Sequence, residues 1–228
     1  MDVAEDVSEK STRDAIRVAL FSSCRICRDA WRERCRADDR FNLRILTGVR
    51  CIGDTDLAGM EIDVAVVSKD APALAFDFIR DGLRELRSAR VILVADEMSD
   101  ICLRQALLLN IAGILLKHES LEQQLAYVVA VARGQRSFSA EIEARLSYDE
   151  STDSYQLRAE TPVGSLSKIQ LEILRHLAKG DSLKVVATKM GLSRKSVDGH
   201  KYRLMNKLGL QDRVLLSRFA IREGFVDA

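Results

Sequence analysis

The chain has 228 residues, 47% of them hydrophobic, which is enough for two modest cores and too apolar for a disordered protein. No stretch approaches the roughly eighteen consecutive apolar residues that a membrane helix needs. An odd count of five cysteines, with no apolar leader, argues against a secreted disulfide scaffold, so a cytoplasmic protein with no membrane partner is expected.

The net charge of +1 conceals an asymmetry. Residues 166–228 hold thirteen basic and six acidic side chains, a balance of +7 that leaves −6 on the rest. A basic module joined to an acidic body is the electrostatic footprint of a nucleic-acid binder with a separate controlling part.

In chain order, residues 1–14, "MDVAEDVSEKSTRD", carry mixed charge and no apolar run, and read as a flexible tail. From residue 15 to 133, short apolar runs ("IRVALF", "LRIL", "DVAVV", "RVILVA", "AGILL") alternate with segments at helical spacing. Runs that are apolar at successive positions belong to strands covered on both faces. The fold class expected is therefore α/β plus all-α: a doubly wound, parallel, five-stranded sheet of flavodoxin-like type, followed by a smaller helical domain. Residues 49–62, "VRCIGDTDLAGMEI", are expected to hold a short or irregular helix.

Cys24 and Cys27 form a C-x-x-C. On a helix, Cys24, Cys27, Trp31 and Cys35 share one side, and no second ligand pair follows at metal-site spacing. They are therefore expected to be small core residues rather than a redox or metal site. "DICLRQALLLN" is apolar around more than half its girth, and the excess beyond one sheet-facing stripe suggests a partner surface.

Residues 134–165 read as a linker with a short helix at "SAEIEARL"; the rest is polar and acidic. Residues 166–228 then give four helices with short breaks. Ser167, Ser193 and Asp212 stand at cap positions, and Gly180, Gly191, Gly209 and Gly224 at stops. A helix, a glycine-containing turn and a basic helix make a DNA-reading plan.

On the basic helix, advancing 100° per residue clusters Val197, Leu204 and Leu208, with Met205 nearby, as the packing stripe. The opposite side carries Lys195, Asp198, Gly199, Tyr202 and Asn206, flanked by Ser196, Arg203 and Lys207. Such a face can donate and accept in a major groove. Gly199 inside a helix costs about 1 kcal/mol relative to alanine, and close approach of backbone to a base edge would explain it.

"LSKIQLEIL", "LAKG", "VVATKMGLSRKSV", His200-Lys201 and "NKLGL" make this module resemble the LuxR-type helix-turn-helix of bacterial regulators. That resemblance implies backbone or helix-steadying roles for Lys184, Ser196, His200, Lys201 and Lys207. It implies base-facing positions for Asp198, Gly199 and Tyr202; Arg194 and Lys195 complete the expected DNA-binding set. Gln170 stands where glutamate is usual, and Leu183-Lys184-Val185 replaces a more polar triplet.

With the junction "RGQRSFSAEIEARL", residues 15–133 resemble a response-regulator receiver, and the whole chain resembles the NarL/FixJ type. In working receivers, an acidic pair after the first strand holds magnesium, and an aspartate ending the third accepts phosphate. A Ser or Thr ends the fourth strand, and a lysine ends the fifth. Here those positions read Ser22, Ser23, Ser68, Ala95 and Lys117. Magnesium needs hard oxygen ligands, so this pocket is expected to be degenerate, with no metal and no cofactor.

The expected function is that of a dimeric, sequence-specific regulator of transcription that binds double-stranded DNA. It is not an enzyme, and its receiver-like domain acts without aspartyl phosphorylation. RNA polymerase is a further expected partner. The alternative is a second-messenger or protein-partner sensor whose helix-turn-helix mainly mediates protein interaction.

Overall fold

Successive apolar residues Val18, Ala19, Leu20 and Phe21 are all buried, as a strand covered on both faces demands. The structure is a computed structural model that describes residues 15–46, 61–68, 72–82, 88–158 and 161–226. Residues 49–60 of the segment expected to hold an irregular helix lie outside the described residues, as do Lys69 and Asp70. Contacts divide the chain into two units, one built from residues 1–70, 78–96 and 111–139, the other from 71–77, 97–110 and 140–228.

In the first unit the strands are β1 (Ile16–Ser22), β2 (Phe41–Leu46), β3 (Val64–Ser68), β4 (Arg90–Ala95), β5 (Gly113–Leu116) and β6 (Ser137–Phe138). They form one parallel sheet in the order β2-β1-β3-β4-β5-β6. The expected parallel, doubly wound class holds, with six strands in place of five. The sixth was missed because two residues cannot display a periodicity. Ser137 N–H donates to Ala112 O at 3.0 Å and Ser139 N–H to Ile114 O at 3.0 Å, and Leu116 N–H donates to Ser139 Oγ at 2.8 Å, so distant partners set this edge.

Helices α1 (Arg25–Arg36) and α4 (Leu121–Ala132) share one face of the sheet. Val18, Leu20, Val66 and Val94 from the strands meet Trp31 and Cys35 of α1 and Leu125 and Val128 of α4 there. On the other face, Phe78 sits against Phe21 with ring centroids 4.8 Å apart. Phe78 opens a π-helical turn (Phe78–Gly82) that continues α2 (Pro72–Asp77).

Asp38 closes the α1–β2 turn by accepting from Arg40 through N–H at 3.2 Å, Nε at 2.9 Å and Nη2 at 2.7 Å. The Arg40 side-chain hydrogen bonds hold the Asp38 carboxyl down from 3.8 to about 2. A depressed folded-state pKa stabilises above the unfolded value, and that contribution is lost as pH falls through the folded one. The urea midpoint reported by Trp31 emission should therefore decline between pH 4 and 2, and Asp38→Ala should flatten that part of the decline.

The second unit contains α3 (Asp100–Leu108), α5 (Ala140–Glu143), the antiparallel pair β7 (Leu146–Asp149) and β8 (Ser154–Leu157), and the helices of the C-terminal module. The hairpin falls where a polar linker was expected. Leu146 faces Leu157 and Tyr148 faces Tyr155 across the strands, the tyrosine rings 5.1 Å apart. Asp149 accepts from Ser151 N–H at 3.0 Å to hold the turn. The turn's charges hid a short alternation.

The apolar girth of α3 has uses inside the chain. Ile101, Cys102, Leu103 and Ala106 are buried. Ser99 Oγ, its N-cap, donates to Glu223 O at 2.7 Å, and Arg104 donates to Leu166 O at 3.2 Å.

Candidate nucleic-acid interface

Four capped helices build the C-terminal module: α6 (Lys168–Ala178), α7 (Leu183–Met190), α8 (Arg194–Leu208) and α9 (Arg213–Arg222). Ser167 and Gln170 form a reciprocal capping box on α6: Ser167 N–H donates to Gln170 Oε1 at 3.0 Å, and Gln170 N–H to Ser167 Oγ at 3.3 Å. Neutral Gln170 thus performs the task for which glutamate is usual. Gly191 and Gly209 end α7 and α8 at φ 65° and 66°, left-handed positions where a glycine carries no Cβ penalty. Ser193 then restarts the chain, accepting from Ser196 N–H at 3.0 Å. The glycine turn and the serine cap fix where the α7–α8 corner falls, and so which residues face outward.

The wheel's packing stripe holds. Val197 and Leu204 are fully buried, with Val186 of α7 and Leu174 of α6. The far side carries Tyr202, 66% exposed, with Arg194, Lys195, Asp198 and Arg203 also exposed and Ser196, Gly199, His200 and Lys201 half-buried. Asp198 Oδ1 lies 2.8 Å from Lys201 Nζ, and that ammonium holds the carboxyl below the usual range. Arg203 Nη2 donates to His200 Nδ1 at 3.2 Å, which fixes His200 as an acceptor on that side. A Cβ at Gly199 would meet nothing within 4 Å, so nothing inside the fold demands glycine there.

Two expected residues separate. Lys184 stands exposed on α7. Lys207, also exposed, is tied within the module: its ammonium donates to Ser165 O at 2.6 Å and to Gln170 Oε1 at 3.4 Å, linking the module's entry to α8. Several other cations are also used within this unit. Buried Arg175 pairs with Glu172, Lys189 with Asp181 at 2.7 Å, and Arg213 donates to Asp181 O at 2.9 Å. The exposed cations are not confined to α8: Lys168 of α6, Lys184 of α7 and Arg213, Arg218 and Arg222 of α9 are exposed as well. Sequence reasoning missed an exposed apolar stripe on α9, Val214 and Ile221, seven residues apart with Arg218 between them. Helical spacing identifies it once α9's buried residues, Leu216 and Ala220, are known.

In the first unit, register places Ser22 beside Ser68, and Ser68 beside Val94. Ser22, Ser68 and Ala95 are buried, Ser23 is exposed, and Lys117 Nζ reaches Asp96 Oδ2 at 2.8 Å. The five positions gather at the carboxyl ends of the central strands, beside the point where strand order reverses. A receiver's magnesium does not fit this donor set. The serines and alanine bring no carboxylate; among the described residues Asp96 faces the Lys117 ammonium, and Glu119, which lines the same cavity as Ser68 and Lys117, accepts from Ser139 Oγ at 2.6 Å. Beside them a cavity of about 180 Å³ has Leu20, Trp31, Val66 and Val94 as apolar walls.

Comparison with known proteins agrees with this geometry. A family model, GerE, "Bacterial regulatory proteins, luxR family", matches residues 164–220. The C-terminal module is a LuxR-family domain. The LuxR-type module ends a chain homologous over most of its length to NarL/FixJ-type response regulators. The response regulator UvrY of Escherichia coli O6:H1 is 22% identical over 205 residues, covering 86% of this chain and 93% of its own. Among solved structures, two RcsB dimers bound to two parallel DNAs superpose with a TM-score of 0.53 at 18% identity, covering 92% of this chain and 98% of RcsB. RcsB from Salmonella enterica serovar Typhimurium, bound to promoter rprA in the presence of phosphomimetic BeF3-, gives 0.53 at 20% identity, covering 90% and 97%. That likeness shows the fold. Among the described residues no helix is long and apolar enough to cross a membrane.

Proposed function

We propose that this chain is a sequence-specific, DNA-binding regulator of transcription that acts as a homodimer, and that its receiver-like body signals without aspartyl phosphorylation. The observation that carries the reading is the outward face of α8, where Arg194, Lys195 and Tyr202 stand exposed on a helix anchored by Val197 and Leu204. Phosphate contacts from Lys184, Arg194, Lys195 and Lys201 set the position, and Asp198, Gly199 and Tyr202 read base edges. Ser196 and His200 steady the helix, and Lys207 holds it to the module. The apolar stripe on α9 supports a second copy, which would present two reading helices to half-sites about one DNA turn apart. The RcsB dimers on DNA support the same plan. The buried pair Ser22 and Ser68, standing where working receivers carry carboxylates, supports phosphate independence.

Titrating labelled duplex with the full chain at rising salt tests the reading. A groove reader loses affinity with a log–log slope near 0.9 per neutralised phosphate, whereas a module that mainly binds protein shows weak duplex affinity and little discrimination between sequences. Incubation with a small acyl phosphate and magnesium should leave mass, oligomeric state and DNA affinity unchanged; a stable phosphoryl adduct would refute independence.

Gly199→Ala separates stability from recognition. The added methyl meets no atom within 4 Å, so alanine should stabilise the module by up to about 1 kcal/mol. Duplex affinity should fall nonetheless, because the backbone loses its close approach to the groove floor. A thermal melt and the same titration measure the two effects, which should have opposite signs.

A further inference from the structure

The sequence placed Cys24 and Cys27 in the core with Trp31 and Cys35. The structure buries Trp31 and Cys35 and leaves Cys24 and Cys27 half-exposed at the start of α1. Cys24 is the N-cap itself, with its sulfur in the place a serine oxygen would take, accepting from Cys27 N–H at 3.4 Å. That bond places the two cysteines side by side at the cap. The cap bond, not helical spacing, brings the two residues together, and C-x-x-C is a spacing at which disulfides form and break.

We propose that Cys24 and Cys27 form a redox-active dithiol that hydroperoxides oxidise to a disulfide, at the sheet's topological switch point.

The environment divides the labour. Backbone N–H donation from Cys27 lowers the Cys24 thiol, aided by its side chain and, at longer range, by the Lys117 ammonium. Burial pushes Cys35 up to about 11 and Cys102 up to about 12. Cys24 is thus the attacking sulfur, and the two buried thiols are inert. In the first step the Cys24 thiolate attacks a peroxide oxygen: the S–O bond forms, the O–O bond breaks, and the departing alkoxide or hydroxide takes a proton from water. Cys24 becomes a sulfenic acid. In the second step the Cys27 sulfur attacks the Cys24 sulfur, the S–S bond forms, and hydroxide leaves with the Cys27 proton as water. Two thiols and one hydroperoxide give one disulfide, one water and one alcohol (a second water for hydrogen peroxide). A dithiol reductant returns both thiols. The change falls at the tip of β1, where Ser22 Oγ accepts from Cys24 N–H at 3.2 Å and Arg28 donates to Ser23 O at 2.7 Å.

The test treats the full chain carrying Cys51→Ser with stoichiometric hydrogen peroxide and follows it by intact mass and peptide mapping, with the natural chain in parallel. The expected result is loss of two hydrogen atoms, mapped to a Cys24–Cys27 disulfide and reversed by dithiothreitol. Cys27→Ser should stop at a sulfenic acid on Cys24 that dimedone traps. Cys24→Ser keeps an N-cap oxygen and the same circular dichroism, and should abolish the reaction. Alkylation of Cys24 no faster than of Cys35, oxidation that stops at sulfenic or sulfinic acid while Cys27 is present, or a disulfide that excludes either residue would overturn the assignment.

Discussion

Arg194→Ala combined with Lys195→Ala lowers duplex affinity at least tenfold at moderate salt and reduces the slope of log affinity against log salt by nearly two. Each exposed cation that neutralises a phosphate releases about 0.9 of a counterion, so removing two such contacts changes the slope as well as the intercept. The loss should be uniform across sequences, because phosphates carry no sequence information. Both side chains are exposed in the first turn of α8, and Ser193 caps the helix without them. Module stability should therefore move little, and an unchanged melt with a reduced slope identifies contact rather than collapse. Tyr202→Ala is the contrasting case, with a changed ranking of sequences at an almost unchanged slope. Lys207→Ala behaves differently again. Its ammonium serves Ser165 O and Gln170 Oε1, so its removal shows first as a lower melt.

Most of the architecture was legible because burial on both faces leaves a signature no surface segment shares. Val64 to Val67 are all fully buried, and that continuous run reads as a central strand. The four C-terminal helices were legible for a different reason: Ser167, Ser193 and Asp212 act through hydrogen bonds to residues three positions on, and local chemistry of that kind is written locally. What failed to show depends on distant partners. Strand β6 exists through its backbone bonds to Ala112 and Ile114. The girth of α3 suggested a partner because its links to Glu223 and Leu166 have no local trace. Lys207 is exposed like Lys195 on the same helix, and the positions of Ser165 and Gln170, distant in sequence, give its ammonium partners inside the module. The thiol pair shows the reverse error. Helical spacing put Cys24 on the side of Trp31, but Cys24 is the cap, outside the first turn, where a wheel no longer fixes direction.

Leu204→Ala should have the largest effect on this chain, and the way it acts distinguishes a reading helix from a merely charged one. Leu204 is fully buried beneath the exposed face it supports. Truncating its isobutyl group to methyl costs about 2–5 kcal/mol through lost burial and a residual cavity. A module of about sixty residues commands roughly 3–5 kcal/mol from its own core, so the cost approaches the whole of its stability. The LuxR-type helices should therefore be largely unfolded at physiological temperature, with helical circular dichroism reduced and duplex binding absent. The only tryptophan, Trp31, is 4% exposed in the core of the first unit, so its emission should stay native. Leu204→Met, which conserves volume, should cost less than about 1.5 kcal/mol and keep binding. Binding that survives Leu204→Ala with the helical signal lost would place DNA recognition elsewhere in the chain, because a polar face has no fixed register once the stripe behind it is gone.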